Sequence, residues 1–287
     1  MQPDKPNLKN RLQQQDILLL PGIYDALSAV LAETEGLEAA FLSGSAVAFT
    51  QLGRPDVGLL TLTEMSAICA RITDRVNLPI VVDVDSGFGN ALHTSRTVRE
   101  FERAGAAAIQ IEDQIPIKPA NALTTRTLIS IDAMRDKIKT AVDARKKENM
   151  LVSARSDSPF VEDLSQTLER AAAYRDSGAD IIFIEGLKTI EAVEKVVAVA
   201  EGLPVFYNLI QKDSEIQTIQ QLSNIAVSGV ILPTAVSLPV ANTLRNCFKA
   251  LVAEPNSNDS SRPMTLSDLN SVLGLPEMLE YYNDISA

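Results

Sequence analysis

The feature that most constrains this chain is an alternation. Eight short β-rich runs, at 17–22, 39–44, 79–85, 107–113, 150–157, 180–186, 204–209 and 228–234, are separated by longer stretches of helical periodicity. Runs such as "PIVVDVD", "AAIQIED" and "DIIFIEG" are almost continuously apolar at their starts rather than alternating. Strands of that kind are buried on both faces, as in a parallel sheet covered by helices. The segments between them include "ALHTSRTVREFERAG", "DAMRDKIKTAVDARKK", "LSQTLERAAAYRDSG" and "TIEAVEKVVAVAEG", and several close on glycine. A glycine just past a helix takes the left-handed conformation that ends it. Eight such units in about 235 residues match a closed (β/α)8 barrel. The alternative is an open doubly wound sheet, which usually carries G-x-G-x-x-G after its first strand. Here the first run leads into "PGIYDAL" instead.

The expected fold is therefore α/β, a TIM-type (β/α)8 barrel over 1–252 with an additional C-terminal helical segment. A Ser-, Asn- and Pro-rich linker is expected at 253–263 and the helical segment at 264–287. That segment cannot bury its apolar residues alone. It is expected to pack on its own barrel or on a neighbour's, which points to a homo-oligomer, a dimer or a tetramer.

Composition narrows the function. Hydrophobic residues make up 46% and charged residues 22%, which excludes disorder as the main state. The net charge is −11 and Arg145-Lys146-Lys147 is a lone basic cluster, so no basic stripe exists to track a nucleic-acid backbone. An anionic ligand would need a local cation or arginine to overcome the global field. Cys69 and Cys247 lie far apart in amphipathic patterns and read as core cysteines, without zinc spacing or a disulfide framework. No apolar run approaches the ~20 residues of a membrane helix, and "MQPDKPNLKNRLQQQD" lacks an apolar signal core. A cytoplasmic protein with no membrane partner is expected.

In such a barrel the reacting groups project from the C-terminal strand ends. Those ends read Ser43-Gly44-Ser45, Asp83 and Asp85, Glu112 and Asp113, Arg155 and Asp157, Glu185, and Asn208. Scattered surface charge would not respect that register. Asp83 and Asp85 are two apart and are expected to share a strand face, with Val82 and Val84 turned toward the helices. Glu112 ends the adjacent strand. Three converging carboxylates repel unless a cation sits among them, and hard oxygen donors suit Mg²⁺, with Mn²⁺ fitting the same set. The glycines of "SGFG" would let the chain turn beside the ion.

Blander readings stand beside these. A strand-end aspartate such as Asp113 or Asp157 is often a helix N-cap. The Ser43–Ser45 turn either binds a carboxylate through its N–H groups and hydroxyls or is a tight turn with a serine cap. Arg155 is either a clamp for a substrate carboxylate or an ion pair with Glu185 or Asp157. The one histidine, His93, lies in a helical pattern and reads as a surface or packing residue. The long polar connection at 114–128 reads as a lid, with Lys118, Asn121 and Arg126 closing over an anionic ligand, or as an ordinary exposed loop.

Taken together the residues resemble the isocitrate lyase/phosphoenolpyruvate mutase superfamily. The likeness runs from "PGIYDALSA" through "SGSAVAFTQLGRPDVGLLTLTEM", "DVDSGFGNALHTSRTVREFERAGAAAIQIEDQ" and "SARSDS" to "FIEGLKTIEAVEKV" and "GLPEMLEYY". It implies a barrel, Mg²⁺, frequent tetramers with exchanged C-terminal helices, and an enolate-like pyruvyl intermediate. By position, Asp85 resembles the direct metal ligand, with Asp83 and Glu112 holding the ion through water. Ser43, Gly44 and Ser45 resemble the carboxylate cradle, Arg155 the clamp, Asp56 of "GRPDVG" an active-site aspartate, and Lys118 the lysine of the gating loop. Glu185 and Asn208 match the lyase branch, and Asn121 resembles the asparagine of the mutase loop.

The departures bear on the reaction. Methylisocitrate-type lyases carry K-[KR]-C-G-H in the gating loop. Here the loop reads "KPANAL", with Ala120 at the cysteine position and Ala122 at the histidine position. Phe41 replaces the tyrosine before the cradle. The run "GNAL" with the following helix resembles a cysteine-less oxaloacetate decarboxylase branch, whose histidine is absent from "LPTAVSL". The expected activity is an Mg²⁺-dependent lyase that breaks a C–C bond of a small anionic 2-oxo- or 2-hydroxy-dicarboxylate through a metal-stabilised pyruvate enolate. Oxaloacetate-type decarboxylation fits best because CO₂ leaves without a cysteine acid, and substituted-malate or methylisocitrate-type cleavage follows. The alternatives are a phosphonopyruvate-type C–P mutase or hydrolase, with Asp56 and Lys118 at the phosphoryl group, and a binding barrel without catalysis.

Overall fold

In the computed structural model, which describes residues 6–117, 125–209, 213–253 and 264–286, the eight runs form parallel strands closed into a barrel. They are β1 (Leu18–Ile23), β2 (Ala40–Leu42), β3 (Ile80–Asp83), β4 (Ala108–Glu112), β5 (Leu151–Ser156), β6 (Ile181–Ile184), β7 (Val205–Asn208) and β8 (Gly229–Leu232). Each pairs with the next, and β1 meets β8 with Leu18 opposite Gly229 and Pro21 opposite Leu232. A principal helix follows each strand. These are α1 (Ala26–Thr34), α2 (Leu62–Arg75), α3 (Ala91–Arg103), α4 (Ile131–Ala144), α5 (Leu164–Asp176), α6 (Ile190–Ala200), α7 (Ile219–Ser223) and α8 (Ser237–Ala253). The fold is the TIM-type barrel expected from the alternation.

Local chemistry sets the helix ends. Asp163 caps α5 through the Gln166 N–H, and the Gln166 side chain returns the bond to Asp163. This reciprocal box satisfies two of the N–H groups that a helix start leaves unpaired. His93 does the same work on α3, where its ring faces Asn90 at an exposed helix start. Its expected surface role is met. Gly105, Gly178 and Gly202 follow α3, α5 and α6 in the left-handed region, as the sequence pattern predicts.

The alternation of side chains across each strand divides the core in two. Leu20, Phe41, Val81, Leu151, Phe183 and Ile231 fill the barrel interior. Val82, Ile109, Ile111, Val152 and Ile182 face the helices instead. Along β4, Ala108 points inward and Ile109 outward, so Gln110 and Glu112 fall on the inward side. The same parity carries Asp83 inward on β3 and Ser153 and Arg155 inward on β5.

The C-terminal helices are different. Beyond α8 lie α9 (Leu266–Val272) and α10 (Leu275–Ser286), while the expected linker falls on 254–263, outside the described residues. Phe248, Leu251, Met278, Tyr281 and Tyr282 are all exposed. Cys69 is buried as expected, but Cys247 is exposed on α8 and corrects the core reading. Its helix is amphipathic, yet this barrel does not receive the apolar face. Arg75 on α2 ties the end of the chain back by donating from Nη2 to the Leu273 carbonyl at 3.1 Å. Among the described residues no helix is long and apolar enough to cross a membrane.

Closure of the barrel depends on one residue without a side chain. A Cβ built on Gly22 would stand 2.0 Å from the Pro233 carbonyl oxygen, a backbone atom that cannot swing away. Gly22→Ala is expected to cost about 1–3 kcal/mol or more from overpacking at the β1–β8 seam. A thermal melt equal to wild type would show that the seam yields freely.

Candidate active site

A cavity of about 660 Å³ opens at the C-terminal strand ends. It brings together Ser43, Ser45, Asp56, Asp83, Arg155, Glu185 and Asn208 from the sequence-derived set. Phe41, Phe49, Phe160, Phe183, Ile231 and Pro233 form its apolar walls and floor. Lys118 and Asn121 lie outside the described residues.

The Ser43 turn is a tight turn with a serine cap, as one of its two readings expects. Ser43 caps a short helix (Gly44–Val47) by accepting the Ala46 N–H at 3.3 Å, and its hydroxyl lies 3.0 Å from that of Ser45. Gly44 packs closely on its neighbour, because a Cβ there would sit 3.1 Å from Asp83 Oδ2. The cradle and the β3 carboxylate therefore press against each other through a backbone without a side chain.

Asp83 and Asp85 do not share a strand face, which corrects the expectation. Pairing of β3 with β4 ends at Asp83 opposite Gln110. Asp85 then enters the left-handed region at φ 48°, so strand alternation no longer applies to it. Its N–H donates to Asp83 Oδ1 at 3.1 Å and its carbonyl accepts the Glu112 N–H at 2.9 Å. Its side chain lines a neighbouring cavity with Ser86, Phe88, His93 and Thr97. The turn uses Gly87 and Gly89 as expected, but Phe88 is also left-handed, at φ 58°. Such residues persist only where surroundings over-determine them. Here Lys137, a buried lysine on α4 that sequence reading missed, donates to the Ser86 carbonyl at 2.8 Å.

The donor set suits a hydrated cation better than a closed cage. Among the described residues no group of three or more His, Cys, Asp or Glu side chains is gathered as a ready metal site. Asp83, Asp85 and Glu112 nevertheless stand at one corner, joined by the backbone bonds above, and all offer hard oxygen. Mg²⁺ commonly keeps several waters and touches only one or two carboxylates. The residues present fit that mode.

Arg155 forms the ion pairs that one of its two readings expects. Its Nε lies 2.8 Å from Asp157 Oδ1, with Glu112 Oε2 3.6 Å from Nη1 and Glu185 Oε2 3.9 Å from Nη2. The guanidinium also stacks over Phe183 at 5.6 Å. Burial works against its charge, but Asp157, Glu112, Glu185 and Asp83 outweigh burial and hold the group firmly protonated. Glu185 in turn accepts the Asn208 side-chain N–H at 2.9 Å.

Neither Asp113 nor Asp157 is a helix cap through its side chain. Asp113 is fully buried and accepts from Ser156 Oγ at 2.6 Å, Tyr174 OH at 2.7 Å, the Asp157 N–H at 3.0 Å and Arg170 Nη1 at 3.3 Å. Burial raises its carboxyl above the usual range, and these bonds oppose the rise. Asp157, also fully buried, accepts the Gln114 side-chain N–H at 2.7 Å and braces Arg155. Gln110 is a further residue that sequence reading missed. It lines the cavity, and among the described residues neither its amide nitrogen nor its oxygen has a hydrogen-bond partner. The signal was present, since a lone polar residue interrupts "AAIQIED" at an inward position.

Comparison with known proteins gives consistent matches. The family model described as phosphoenolpyruvate phosphomutase matches residues 8–252. The chain is 32% identical over 274 residues to 2,3-dimethylmalate lyase of Eubacterium barkeri, covering 95% of each chain. It is 32% identical over 259 residues to 2-methylisocitrate lyase of Shewanella oneidensis, covering 90% of this chain and 88% of that one. A crystal structure of 2,3-dimethylmalate lyase, a PEP mutase/isocitrate lyase superfamily member, superposes with a TM-score of 0.89 at 27% identity over 99% of both chains.

The buried Lys137 yields a pH test of the turn it pins. Burial pushes its ammonium down to about 8, while Glu112 and Asp113 pull the other way. Between that value and an ordinary lysine pKa of about 10.4, the unfolded chain keeps a proton that the folded chain has released. This group therefore adds stability as pH rises through the window. Relative to Lys137→Met, the wild type should gain about 2 kcal/mol in unfolding free energy on going from neutral pH to the top of the window. A pH-independent difference between the two proteins would remove the perturbation.

Proposed function

The chain belongs to the phosphoenolpyruvate mutase/isocitrate lyase superfamily, and on that premise we propose that it is a carbon–carbon lyase acting on a small 2-oxo- or 2-hydroxy-dicarboxylate. The observation that carries this reading is Arg155. It is a guanidinium paired with Asp157, Glu112 and Glu185, in a cavity that also presents the Ser43–Ser45 turn and Asp83. With Arg126 and Lys188 it brings positive charge into a cavity whose lining also carries Asp56, Asp83, Glu185 and Asp213.

In this reading the substrate's 1-carboxylate rests on the backbone N–H groups and hydroxyls of Ser43, Gly44 and Ser45. Arg155 fixes the adjoining oxygen. Asp85, with Asp83 and Glu112 acting through water, would hold Mg²⁺, and Mn²⁺ fits the same oxygens. When bound, such an ion supplies positive charge beside the oxygen that accepts electrons as the C–C bond breaks. Asp56 and Glu185, which line the cavity, would take a proton from a 2-hydroxyl, and the Asn208 amide donates to Glu185. Lys118 and Asn121 would complete the site from the connecting loop.

The walls favour an alkyl-substituted malate. Phe41, Phe183, Ile231 and Phe160 offer apolar surface that an unbranched diacid would leave unused. Relatives named as dimethylmalate and methylisocitrate lyases support the same class. Oxaloacetate decarboxylation is the second reading. It is favoured by Ala120, because that reaction needs no cysteine acid.

We further propose that residues 1–252 form one catalytic unit and that the 264–287 segment, with α8, packs on a second copy of the chain. The exposed apolar residues on α8, α9 and α10, among them Leu244, Phe248, Leu251, Met278 and Tyr281, are of the kind that oligomers bury. Phe248→Glu is expected to lower the apparent mass in light-scattering chromatography. A wild-type protein that already runs as a monomer would end this proposal.

Activity is tested by following ¹H and ³¹P NMR of the full chain with 2,3-dimethylmalate, 2-methylisocitrate, oxaloacetate and phosphonopyruvate, each with Mg²⁺ and with EDTA. Pyruvate is expected from a dicarboxylate, suppressed by EDTA and lost in Asp85→Ala. Turnover that ignores EDTA removes the metal assignment. Phosphate released from phosphonopyruvate alone would replace C–C with C–P chemistry.

A further inference from the structure

The cavity contains a second guanidinium, Arg126, to which the lyase reading assigns no task. The chain around it is anchored. Gln114 and Leu128 form an antiparallel bridge, Ile115 N–H donates to the Thr127 carbonyl at 3.0 Å, and Ile129 N–H donates to the Asp113 carbonyl at 2.8 Å. Arg126 therefore projects from a fixed neck. Its Nε lies 2.9 Å from Asp157 Oδ2, and its guanidinium stands over the Phe160 ring at 5.3 Å.

Two arginines thus share one support. Asp157 is fully buried and braces Arg155 through Oδ1 and Arg126 through Oδ2, and each guanidinium lies over its own phenylalanine. One carboxylate spreads its charge over two guanidiniums that are fixed side by side, both lining the same cavity. Rigid, paired forks of this kind match an anion with planar oxygens. Arg155 already has the ring of strand-end carboxylates beside it. Arg126 stands outside that ring, toward the apolar wall at Phe160.

We infer that Arg126 reads the second carboxylate of the substrate, the one remote from the Ser43–Ser45 turn, and so makes the site selective for dicarboxylates over monocarboxylates. The inference rests on the dicarboxylate reading of the site. It assigns Arg126 to specificity, with Asp157 as its positioning residue.

The test compares two ligands that differ only in that group, malate and lactate, titrated calorimetrically into the full chain with Mg²⁺. Wild type, Arg126→Met and Arg126→Lys are measured, with thermal melts to establish that each variant is folded. One lost charge-assisted contact should weaken malate about ten- to hundred-fold in Arg126→Met. Lactate affinity should stay within about two-fold, and Arg126→Lys should recover part of the loss because it keeps the charge without the fork. Equal weakening of both ligands makes Arg126 structural and overturns the inference, as does malate binding that does not change. Phosphonopyruvate affinity that falls while malate holds would transfer the residue to a phosphoryl end. A wild type that prefers neither ligand, or binds neither, fails earlier, at the dicarboxylate reading, and removes the inference with it.

Discussion

Everything at the catalytic end depends on the register of a closed parallel barrel. When β1 meets β8, no strand can slip by one residue without turning its apolar set outward. That constraint settles which side of each strand faces the axis. Leu20, Phe41 and Val81 fill the interior, and the next inward positions toward the C-terminal ends are Ser43, Asp83, Glu112 and Arg155. An apolar plug under a polar ring is the result. Gly22 makes the seam possible, because the Pro233 carbonyl occupies the place a side chain would take.

Above the plug, two buried carboxylates on neighbouring strands divide the electrostatic work. Asp113 collects Ser156, Tyr174 and Arg170 and ties strand ends to α5. Asp157 lies buried behind the cavity and pairs with the two guanidiniums that line it. They are joined, since the Asp157 N–H donates to Asp113. Burying an anion is costly unless bonds replace its water, and both acids are satisfied by multiple donors. The consequence is a firm support for the Arg155 guanidinium. The turn at Asp85 is organised in the same way, with Lys137 beneath it and Glu112 beside it.

The catalytic end and the C-terminal end differ in how complete they are. Apolar side chains within the barrel are buried inside one chain. Along α8 to α10, aromatic and aliphatic residues remain exposed while their polar caps are formed, as with Thr265 and Asp268 at the start of α9. These helices are locally sound and lack only a surface to bury their apolar faces.

The sequence by itself determined the barrel, the order of its elements and the residue types at each strand end. Apolar runs, helical periodicity and closing glycines are local signals, and the strands lie within two residues of the runs that announced them. It also placed Ser43, Asp83, Arg155, Glu185 and Asn208 at one mouth, because strand parity and barrel topology together suffice for that. Tertiary structure alone decided the rest. Asp85 left the face of Asp83 because strand pairing stopped between them and the backbone turned left-handed. Asp113 became a buried hub because its side-chain partners come from 43 to 61 residues away, and Asp157 joined it through Gln114, 43 residues away, distances over which no local pattern speaks. Lys137 reached the Ser86 carbonyl across 51 residues, and Cys247 stayed exposed on a helix whose pattern promised burial. Periodicity records that a side chain has an apolar or polar side, whereas what it meets there is a property of the packed chain.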